Sequence, residues 1–392
     1  GLTNYIRGHE EGILIGSPYT DHLPLEEKSL AAELRDNGYA TWHIGKWHMG
    51  DRSYWPDRHG FDVNVGGCDW GHPHNGYFSP WGIAGLENGP EGEYLTDRLT
   101  DEAVKLIEES GDKPFFLNMC YYAVHTPIQA EQEKIEKYKR KVIKNGLDKV
   151  MALEEGEHFP CLHKRDERLV RRLVQSDPVY AAMIESVDEN IGRLLKTLKD
   201  LGIEDETVVI FTSDNGGLAT AEGSPTSNAP LSEGKGWMYE GGTREPLLVK
   251  WPGITDPGSI CVEPVTSPDF YPTLLQGLGL ELRPEQHCDG VSFMPLLRGD
   301  GLFRRGPMFW HYPHYGNQGG TPGSSVREGD YKLIEFFEDG RLELYNLRED
   351  IGERQNLAGE MPEKAAELRE KLARWRKTAG ARIPERNPDW SG

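Results

Sequence analysis

A long amphipathic segment followed at once by an apolar strand constrains the fold more than any other feature of the sequence. Apolar residues keep helical spacing throughout PVYAAMIESVDENIGRLLKTLKDLG, which begins at Pro178 and ends at Gly202. The next apolar run, TVVIFT, is rich in β-branched residues and is typical of a fully buried strand. A helix that leads into a buried strand is the repeating unit of an α/β sheet.

The same alternation occurs earlier in the chain. LEEKSLAAELRDNG (25–38) predicts a helix with a glycine stop, and YATWHI (39–44) predicts the strand after it. LTDEAVKLIEES (99–110) predicts a second helix, and KPFFLNMCYYAVHTP (113–127) predicts a buried strand that delivers His125 at its end. We therefore predict a mostly parallel sheet sandwiched by helices, in which ligand sites lie beyond the carboxyl ends of the strands.

Two regions depart from this alternation. Residues 129 to about 177 are dense in charge, as in EQEKIEKYKRKVIKNG and KRDERLVRRLV, and predict a helical surface insertion. Later in the chain come the short strands MFWHYP, DYKLIEFF and RLELYNL, the last two joined as a hairpin, and then the amphipathic helix EKAAELREKLARWRKT. We predict an α/β domain over 1–303 and a C-terminal subdomain over 304–392, with a small antiparallel sheet and one helix.

The composition excludes several classes of partner. The 392 residues carry a formal net charge of −20, whereas nucleic acid requires a basic face. The sequence has no run of about 18 apolar residues, so we predict no membrane span. The five cysteines are odd in number and form no CxxC, which argues against a disulfide framework or a zinc ribbon. One disulfide and an exported, periplasmic or extracellular, location both stay open.

Within this acidic chain, four stretches place polar side chains at predicted strand ends: GKWHMG, YYAVHTP, FTSDNGG and EGKGWMYEGGTREP. Lys46 with His48, His125 and Lys235 would together form an anion pocket, and their N–H donors suit a tetrahedral oxyanion such as sulfate or phosphate. Taken singly, each histidine is better explained by packing and each lysine by solvation. The prediction rests on the set.

Asp214 and Asn215 offer two oxygen ligands to a hard cation such as calcium or magnesium. A helix cap or an Asx-turn explains the same two residues. Glu240 and Arg244 flank a Gly-Gly pair, and we predict a buried ion pair that fixes the glycine turn beside Lys235. Direct contact of Arg244 with the anion is the alternative.

Together these stretches resemble the sulfatases of the alkaline-phosphatase superfamily. LAAELRDNGYATWHIGKWHMG is similar to the family's Gly-Lys-Trp-His-Leu-Gly segment, with Met49 in place of the usual leucine. DETVVIFTSDNGG, PLSEGKGWMYEGGTREPLLVKWPG, SPDFYPTLLQGLGL, DGVSFMPLLRG, VREGDYKLI and ELYNLREDIGERQNLA resemble later family segments in the family's order. The resemblance covers nearly the whole chain and implies a sulfuric ester hydrolase with an alkaline-phosphatase-like fold.

The resemblance also implies the chemistry of the site. In the family a Cys/Ser-x-Pro-x-Arg motif supplies a formylglycine nucleophile, and calcium is held by an Asp-Asp pair and by a later Asp-Asn, here Asp214 and Asn215. Lys46 resembles the lysine that contacts formylglycine and sulfate, and His48 the histidine bonded to the formylglycine hydroxyl. His125 resembles the histidine on the leaving-group side, and Lys235 the second sulfate-binding lysine.

Two parts of the family's mechanism are missing from this sequence. It contains no Asp-Asp, and none of its cysteines or serines is followed by x-Pro-x-Arg. GLTNYIRGHEEG resembles the family segment just downstream of the nucleophile, so we expect an N-terminal segment that completes the fold. An incomplete sequence, a processed enzyme with a small partner fragment, and a degenerate homologue all stay open.

Three functions follow from this pattern. The first is removal of sulfate from a sulfated carbohydrate. The alternatives are a phosphodiester or phosphonate hydrolase of the same superfamily, and a non-catalytic protein that binds sulfated glycans. CDWGHPHNGYFSPWG and FWHYPHYG are rich in aromatic and histidine side chains that could stack on a sugar, although loop packing explains them equally well. The candidate sugar contacts are Trp70, His72, His74 and Tyr77 in the first loop and His311 and His314 in the second.

Overall fold

The computed structural model describes residues 2–3, 11–301 and 303–390. Most of the GLTNYIRGHEEG segment therefore lies outside the described residues. The helices are α1 (Leu30–Asp36), α2 (Leu95–Glu109), α3 (Gln132–Lys144), α4 (Pro178–Asp200), α5 (Glu240–Thr243), α6 (Phe270–Gly277), α7 (Met294–Arg298) and α8 (Pro362–Ala379). The strands are β1 (Leu14–Ile15), β2 (Ala40–Gly45), β3 (Val63–Val65), β4 (Phe115–Cys120), β5 (Leu153–His158), β6 (Arg168–Arg172), β7 (Val209–Thr212), β8 (Leu247–Lys250), β9 (Met308–Tyr312), β10 (Gly323–Glu328), β11 (Tyr331–Phe336), β12 (Leu342–Asn346) and β13 (Glu385–Arg386).

A parallel sheet in the order β3-β2-β4 forms the centre of the N-terminal part. Its middle strand β2 is buried along its whole length. Helices α2 and α4 pack against each other beside this sheet, and α2 buries Leu95, Leu99 and Ala103 in the core. The predicted start of the long helix is confirmed, because the Asp177 side chain caps α4 by accepting from the amide of Val179. The α/β fold class is thus confirmed.

The second predicted core strand is only partly as expected. TVVIFT forms β7, but β7 pairs antiparallel with β8, and its Phe211 is 39% exposed while Leu248 of β8 is 62% exposed. The prediction of a fully buried strand is wrong for the described residues. Within them β7 pairs with β8 alone and β4 with β2 alone, so each of these two strands has one edge without a partner.

The charged insertion is helical only in its first half. EQEKIEKYKRKVIKNG forms α3, whereas KRDERLVRRLV contributes β6, which pairs antiparallel with β5. Leu169 is fully buried in β6 while Arg168 is exposed. This alternation has the period of two that belongs to a strand, and it explains why the helical prediction is wrong there.

The C-terminal part is a four-stranded antiparallel sheet in the order β12-β11-β10-β9. Helix α8 covers one face of it through Leu368 and Leu372, which pack on Val326, Leu333 and Leu344. The predicted hairpin is confirmed by the register of β11 and β12. The division at residues 303 and 304 stays a prediction. No helix among the described residues is long and apolar enough to cross a membrane, and Cys68, Cys120, Cys161 and Cys261 carry free thiols.

Candidate active site

The turn after β2 presents the first two site residues. Gly45 has φ +98°, and a Cβ there would lie 2.0 Å from the Cys120 carbonyl oxygen, so the close approach of β2 and β4 requires glycine. The Lys46 amide donates to the same carbonyl at 2.8 Å. His48 takes a left-handed conformation, φ 58°, and its amide donates to the Cys68 carbonyl at 2.9 Å. The turn thus projects both side chains past the carboxyl end of the sheet.

The loop after β3 approaches one side of the His48 imidazole, although the His48 side chain stays exposed to solvent. A Cβ at Gly71 would lie 2.6 Å from the His48 ring, so the backbone of this loop approaches the ring directly. Burial lowers the pKa of His48, and the nearby charges of Lys46 and Lys235 lower it further. His48 is therefore held neutral in a cationic surrounding, which is the state that can accept a proton.

Lys235 and His125 are the most closely paired residues of the site. Lys235 Nζ lies 2.8 Å from His125 Nε2. Burial lowers the pKa of His125 to about 4, and the charge of Lys235 adds to the effect. Burial also lowers the pKa of Lys235, followed by the charge of Lys46. Because the charges of Lys46 and Lys235 both lower the pKa of His48 and of His125, the four side chains predicted from sequence lie together.

The candidate metal ligands follow β7. Asp214 is exposed and Asn215 half-buried, and Asn215 Nδ2 donates to the Gly216 carbonyl, which leaves its Oδ1 for another partner. The charge of Asp214 reaches the pocket, since it opposes the lowering of the Lys235 pKa by burial. Among the described residues no three His, Cys, Asp or Glu side chains cluster as a metal site. Calcium takes 6–8 oxygen ligands, so the two present fit a hard cation but form only part of its coordination.

One further carboxylate near Asp214 was not predicted from sequence. Burial raises the pKa of Glu245 to about 7, and the charge of Asp214 adds to it. Glu245 Oε1 is buried without a hydrogen-bond partner among the described residues. The only sequence signal was its place directly after the glycine turn, in TREP.

The histidine-rich loop is partly at the site. The rings of Trp70 and His74 stack at 4.0 Å, and the His72 ring lies 4.5 Å from His74 and 6.0 Å from His125. These three residues therefore lie on the His125 side of the pocket. Tyr77 does not: it is fully buried, and its hydroxyl donates to the carbonyls of Tyr122 and His125. Its prediction as a sugar contact is wrong, and it shapes the His125 loop instead.

The two histidines of the C-terminal part are held by contacts with neighbouring side chains and a carbonyl. His311 Nδ1 lies 2.6 Å from Ser324 Oγ, and its Nε2 lies 2.8 Å from the Arg382 carbonyl oxygen. His314 is buried, with its ring edge-on to Tyr19 and Tyr312. Burial makes the sugar-contact prediction wrong for His314, whereas for half-buried His311 it stays a prediction.

The Glu240–Arg244 prediction is half right. Glu240 is buried, as expected, but Arg244 is 46% exposed and its Nη1 lies 3.7 Å from the Glu240 carboxylate. The closer partners are Lys332 at 3.0 Å and Arg327 at 3.2 Å, both from the C-terminal sheet. The glycine turn beside Lys235 is therefore fixed by an ion cluster that joins the two parts of the chain, which local sequence could not reveal.

Comparison with known families identifies the origin of this arrangement. A family model described as "Sulfatase" matches residues 2–280, and one described as "N-sulphoglucosamine sulphohydrolase, C-terminal" matches residues 233–378. The chain belongs to the sulfatase family.

Individual sulfatases cover most of this chain. A sulfatase of Formosa agariphila is 35% identical over 322 residues, which are 76% of this chain and 52% of that protein. The N-acetylgalactosamine-6-sulfatase of Mus musculus is 28% identical over 367 residues, which are 88% of this chain and 61% of that protein. The chain thus spans about half the length of the Formosa sulfatase.

Solved structures agree with the family. Ps i-CgsB, in complex with k-i-k-neocarrahexaose, has a TM-score of 0.70 and 25% sequence identity, over 95% of this chain and 77% of that one. A protein in complex with D-glucosamine-2-N,6-O-disulfate has a TM-score of 0.67 over 98% of this chain and 90% of that one; at 22% identity it shows the fold alone.

Proposed function

We propose that this chain forms the sulfate-binding part of a sulfuric ester hydrolase that acts on a sulfated carbohydrate. The observation that carries the proposal is the Lys235 Nζ–His125 Nε2 contact of 2.8 Å. The charge of Lys46 lowers the pKa of both partners and also that of His48. Repulsion between the two half-buried ammonium groups, Lys46 and Lys235, is tolerated where an anion is to be bound, and a sulfate ester presents both the charge and the acceptor oxygens.

Each of the four residues has a proposed task. Lys46 and Lys235 donate to the sulfate oxygens and offset the charge that develops there. His48, neutral, holds the hydroxyl of the nucleophile and accepts its proton. Since the pKa of His125 is about 4, the shared proton of the Lys235–His125 pair rests on Lys235 Nζ. The pair can pass this proton to the departing alkoxide oxygen of the sugar.

Calcium is the proposed cofactor, with magnesium the poorer fit. Asp214 and Asn215 would contribute two of its oxygen ligands, and the bound ion would polarise the sulfate. Formylglycine is the nucleophile that the resemblance implies. The 392 residues contain no Cys/Ser-x-Pro-x-Arg motif and no Asp-Asp pair. We therefore propose that a segment outside these residues supplies the nucleophile and the remaining ligands.

The open strand edges support a place for that segment. Strands β4 and β7 each have one edge without a partner in the described part of the chain. Burial raises the pKa of Cys120, at the end of β4, to about 11, and the charge of Asp214, after β7, adds to this rise. The ends of β4 and β7 therefore lie near each other. A strand between β4 and β7 would satisfy both edges and would end beside Asp214.

A carbohydrate is the proposed substrate class. Trp70, His72 and His74 border the leaving-group side, where a stacked pair of rings suits the face of a sugar. The relatives point the same way, since one is named N-acetylgalactosamine-6-sulfatase and one structure holds a neocarrahexaose.

The test is sulfate release from 4-nitrophenyl sulfate and from sulfated monosaccharides, by the chain alone and with a sulfatase N-terminal segment supplied, with calcium and after chelation. We expect calcium-dependent release only when the segment is present, and its loss in Lys235→Met. Lys377→Met, on α8, is the control and should retain activity. Absence of release in the completed, calcium-loaded form would refute the proposal, and tight sulfated-sugar binding without release would favour a binding protein.

A further inference from the structure

The segment between β7 and the Lys235 turn contains a carboxylate in a strained conformation. Glu222 has φ 54° and is followed by Gly223 at φ 86° and Ser224 at φ 44°, so three successive residues lie in the left-handed region. Residues other than glycine rarely adopt this backbone conformation. Such strain is concentrated at functional sites, where a side chain must be held in one position. In this case the conformation directs the half-buried Glu222 carboxylate towards the leaving-group side of the pocket.

Both oxygens of this carboxylate are engaged. Thr126 Oγ1 donates to Glu222 Oε2 at 3.3 Å, and Gln318 Nε2 donates to Glu222 Oε1 at 2.8 Å. The backbone of Gln318 is itself held, because its main-chain carbonyl oxygen accepts hydrogen bonds from Thr220 Oγ1 at 2.7 Å and from Trp237 Nε1 at 3.0 Å. Glu222 is thus clamped between the His125 loop and a loop that follows β9.

These contacts decide which ring nitrogen of His125 carries the proton. A carboxylate only accepts hydrogen bonds, so the Thr126 hydroxyl must give its hydrogen to Glu222. Thr126 Oγ1 lies 3.2 Å from His125 Nδ1 and can then only accept a hydrogen bond from it. The Thr126 main-chain carbonyl oxygen, 3.1 Å from the same Nδ1, is also an acceptor. Nδ1 therefore holds the proton, and Nε2 turns its lone pair to the Lys235 ammonium.

We propose that Glu222 is a positioning residue that fixes the tautomer and ring orientation of His125 through Thr126, and that Gln318 holds Glu222 in place. The catalytic consequence rests on the proposed sulfatase function. Glu222 is also the carboxylate whose charge opposes the lowering of the pKa of His125, Lys235 and His72. It therefore favours the protonated Lys235–His125 pair that the departing sugar oxygen needs.

Two substitutions separate this role from simple packing. Glu222→Gln keeps the shape but has one acceptor oxygen for two donors, Thr126 and Gln318, so one contact must be lost. Thr126→Val keeps the shape and the Glu222 charge but removes the hydroxyl. Thr126→Ser restores the hydroxyl and should recover most of what Thr126→Val loses. Glu136→Gln, on the surface helix α3, is the matched control for loss of one carboxylate.

The first measurement needs no activity. The full chain is labelled with ¹⁵N-histidine, and the His125 signals are identified by their absence in His125→Gln. We expect a single Nδ1–H tautomer in the unsubstituted chain, in Thr126→Ser and in Glu136→Gln, and a mixture of tautomers in Glu222→Gln and Thr126→Val. An Nε2–H tautomer in the unsubstituted chain, or no change in both variants, would overturn the inference.

The second measurement uses the completed form with two substrates. A sugar sulfate has a poor leaving group that needs a proton, whereas 4-nitrophenyl sulfate does not. We expect kcat for the sugar sulfate to fall by about 10–100-fold in Glu222→Gln and Thr126→Val, less than the roughly 10²–10⁴-fold worth of general-acid catalysis because His125 and Lys235 themselves are retained. For the aryl sulfate we expect kcat to change less than about threefold. Equal losses on both substrates would overturn the role. If no form releases sulfate, the proposed function fails, while the tautomer measurement still decides this inference.

Discussion

Lys332→Met is expected to destabilise the chain more than any change to an exposed ion pair. The Lys332 ammonium is fully buried and lies 3.0 Å from Glu240 Oε1 and 3.0 Å from Glu353 Oε1. Burial raises the pKa of Glu353, and the charge of Lys332 opposes that rise. Removing the lysine leaves a buried carboxylate without its cation.

The size of the effect follows from what remains. Breaking a buried ion pair by removing one partner costs about 3–5 kcal/mol. Arg327 stays 3.2 Å from Glu240, so the loss falls mainly on Glu353, and we expect about 3 kcal/mol. For a chain of 392 residues, that corresponds to a fall in Tm of about 4 °C.

The assay is urea unfolding followed by circular dichroism, with Lys371→Met as the matched control. Lys371 lies on α8, is partly exposed, and pairs with Glu328 and Glu367. Its loss should cost less than about 1 kcal/mol, as exposed pairs do. Glu353→Gln in the Lys332→Met background should recover part of the loss. Equal stability of the two lysine variants would refute the reasoning about the buried cluster.

Three further predictions concern the pocket and its strand. Gly45→Ala should prevent the approach of β2 to β4, because the new Cβ would lie 2.0 Å from a carbonyl oxygen, and should be seen as loss of soluble folded protein. Burial lowers the pKa of His43 from 6.5 to about 4, so its contribution to stability is complete above pH 6.5 and is lost as the pH falls to 4. Between pH 6.5 and pH 4 the free energy of unfolding should therefore fall less in His43→Gln than in the unsubstituted chain. Asp214→Asn should weaken calcium binding by calorimetry in the completed form at least tenfold, whereas Asp200→Asn should leave it unchanged.

The sequence predicted those elements whose conformation depends on residues close together in the chain. The helix from Pro178, the hairpin of β11 and β12, and the glycine turns before Lys46 and beside Lys235 follow from spacing and backbone freedom, and all are found. Lys46, His48, His125 and Lys235 were predicted to lie together because parallel strands end at one edge of a sheet.

Two of the errors and one omission came from contacts that join distant segments. The Glu240 carboxylate pairs with Lys332, 92 residues away, in preference to its helical neighbour Arg244. The Tyr77 hydroxyl donates to two carbonyls of the His125 loop. Tyr77 is therefore a packing residue, although the aromatic loop that contains it was predicted to contact a sugar. Glu222 lacks any local signal, since only its distance to Thr126 and Gln318 gives it a role.

The central claim is that the pocket acts on sulfate esters, and a substrate panel with one common leaving group tests it most directly. The completed, calcium-loaded form is offered 4-nitrophenyl sulfate, bis-4-nitrophenyl phosphate and 4-nitrophenyl phenylphosphonate, and kcat/KM is measured for each. We predict the highest kcat/KM for the sulfate ester and its loss in Lys235→Met. A higher kcat/KM for the phosphate diester or the phosphonate would contradict the claim and assign the pocket to another reaction of the same superfamily.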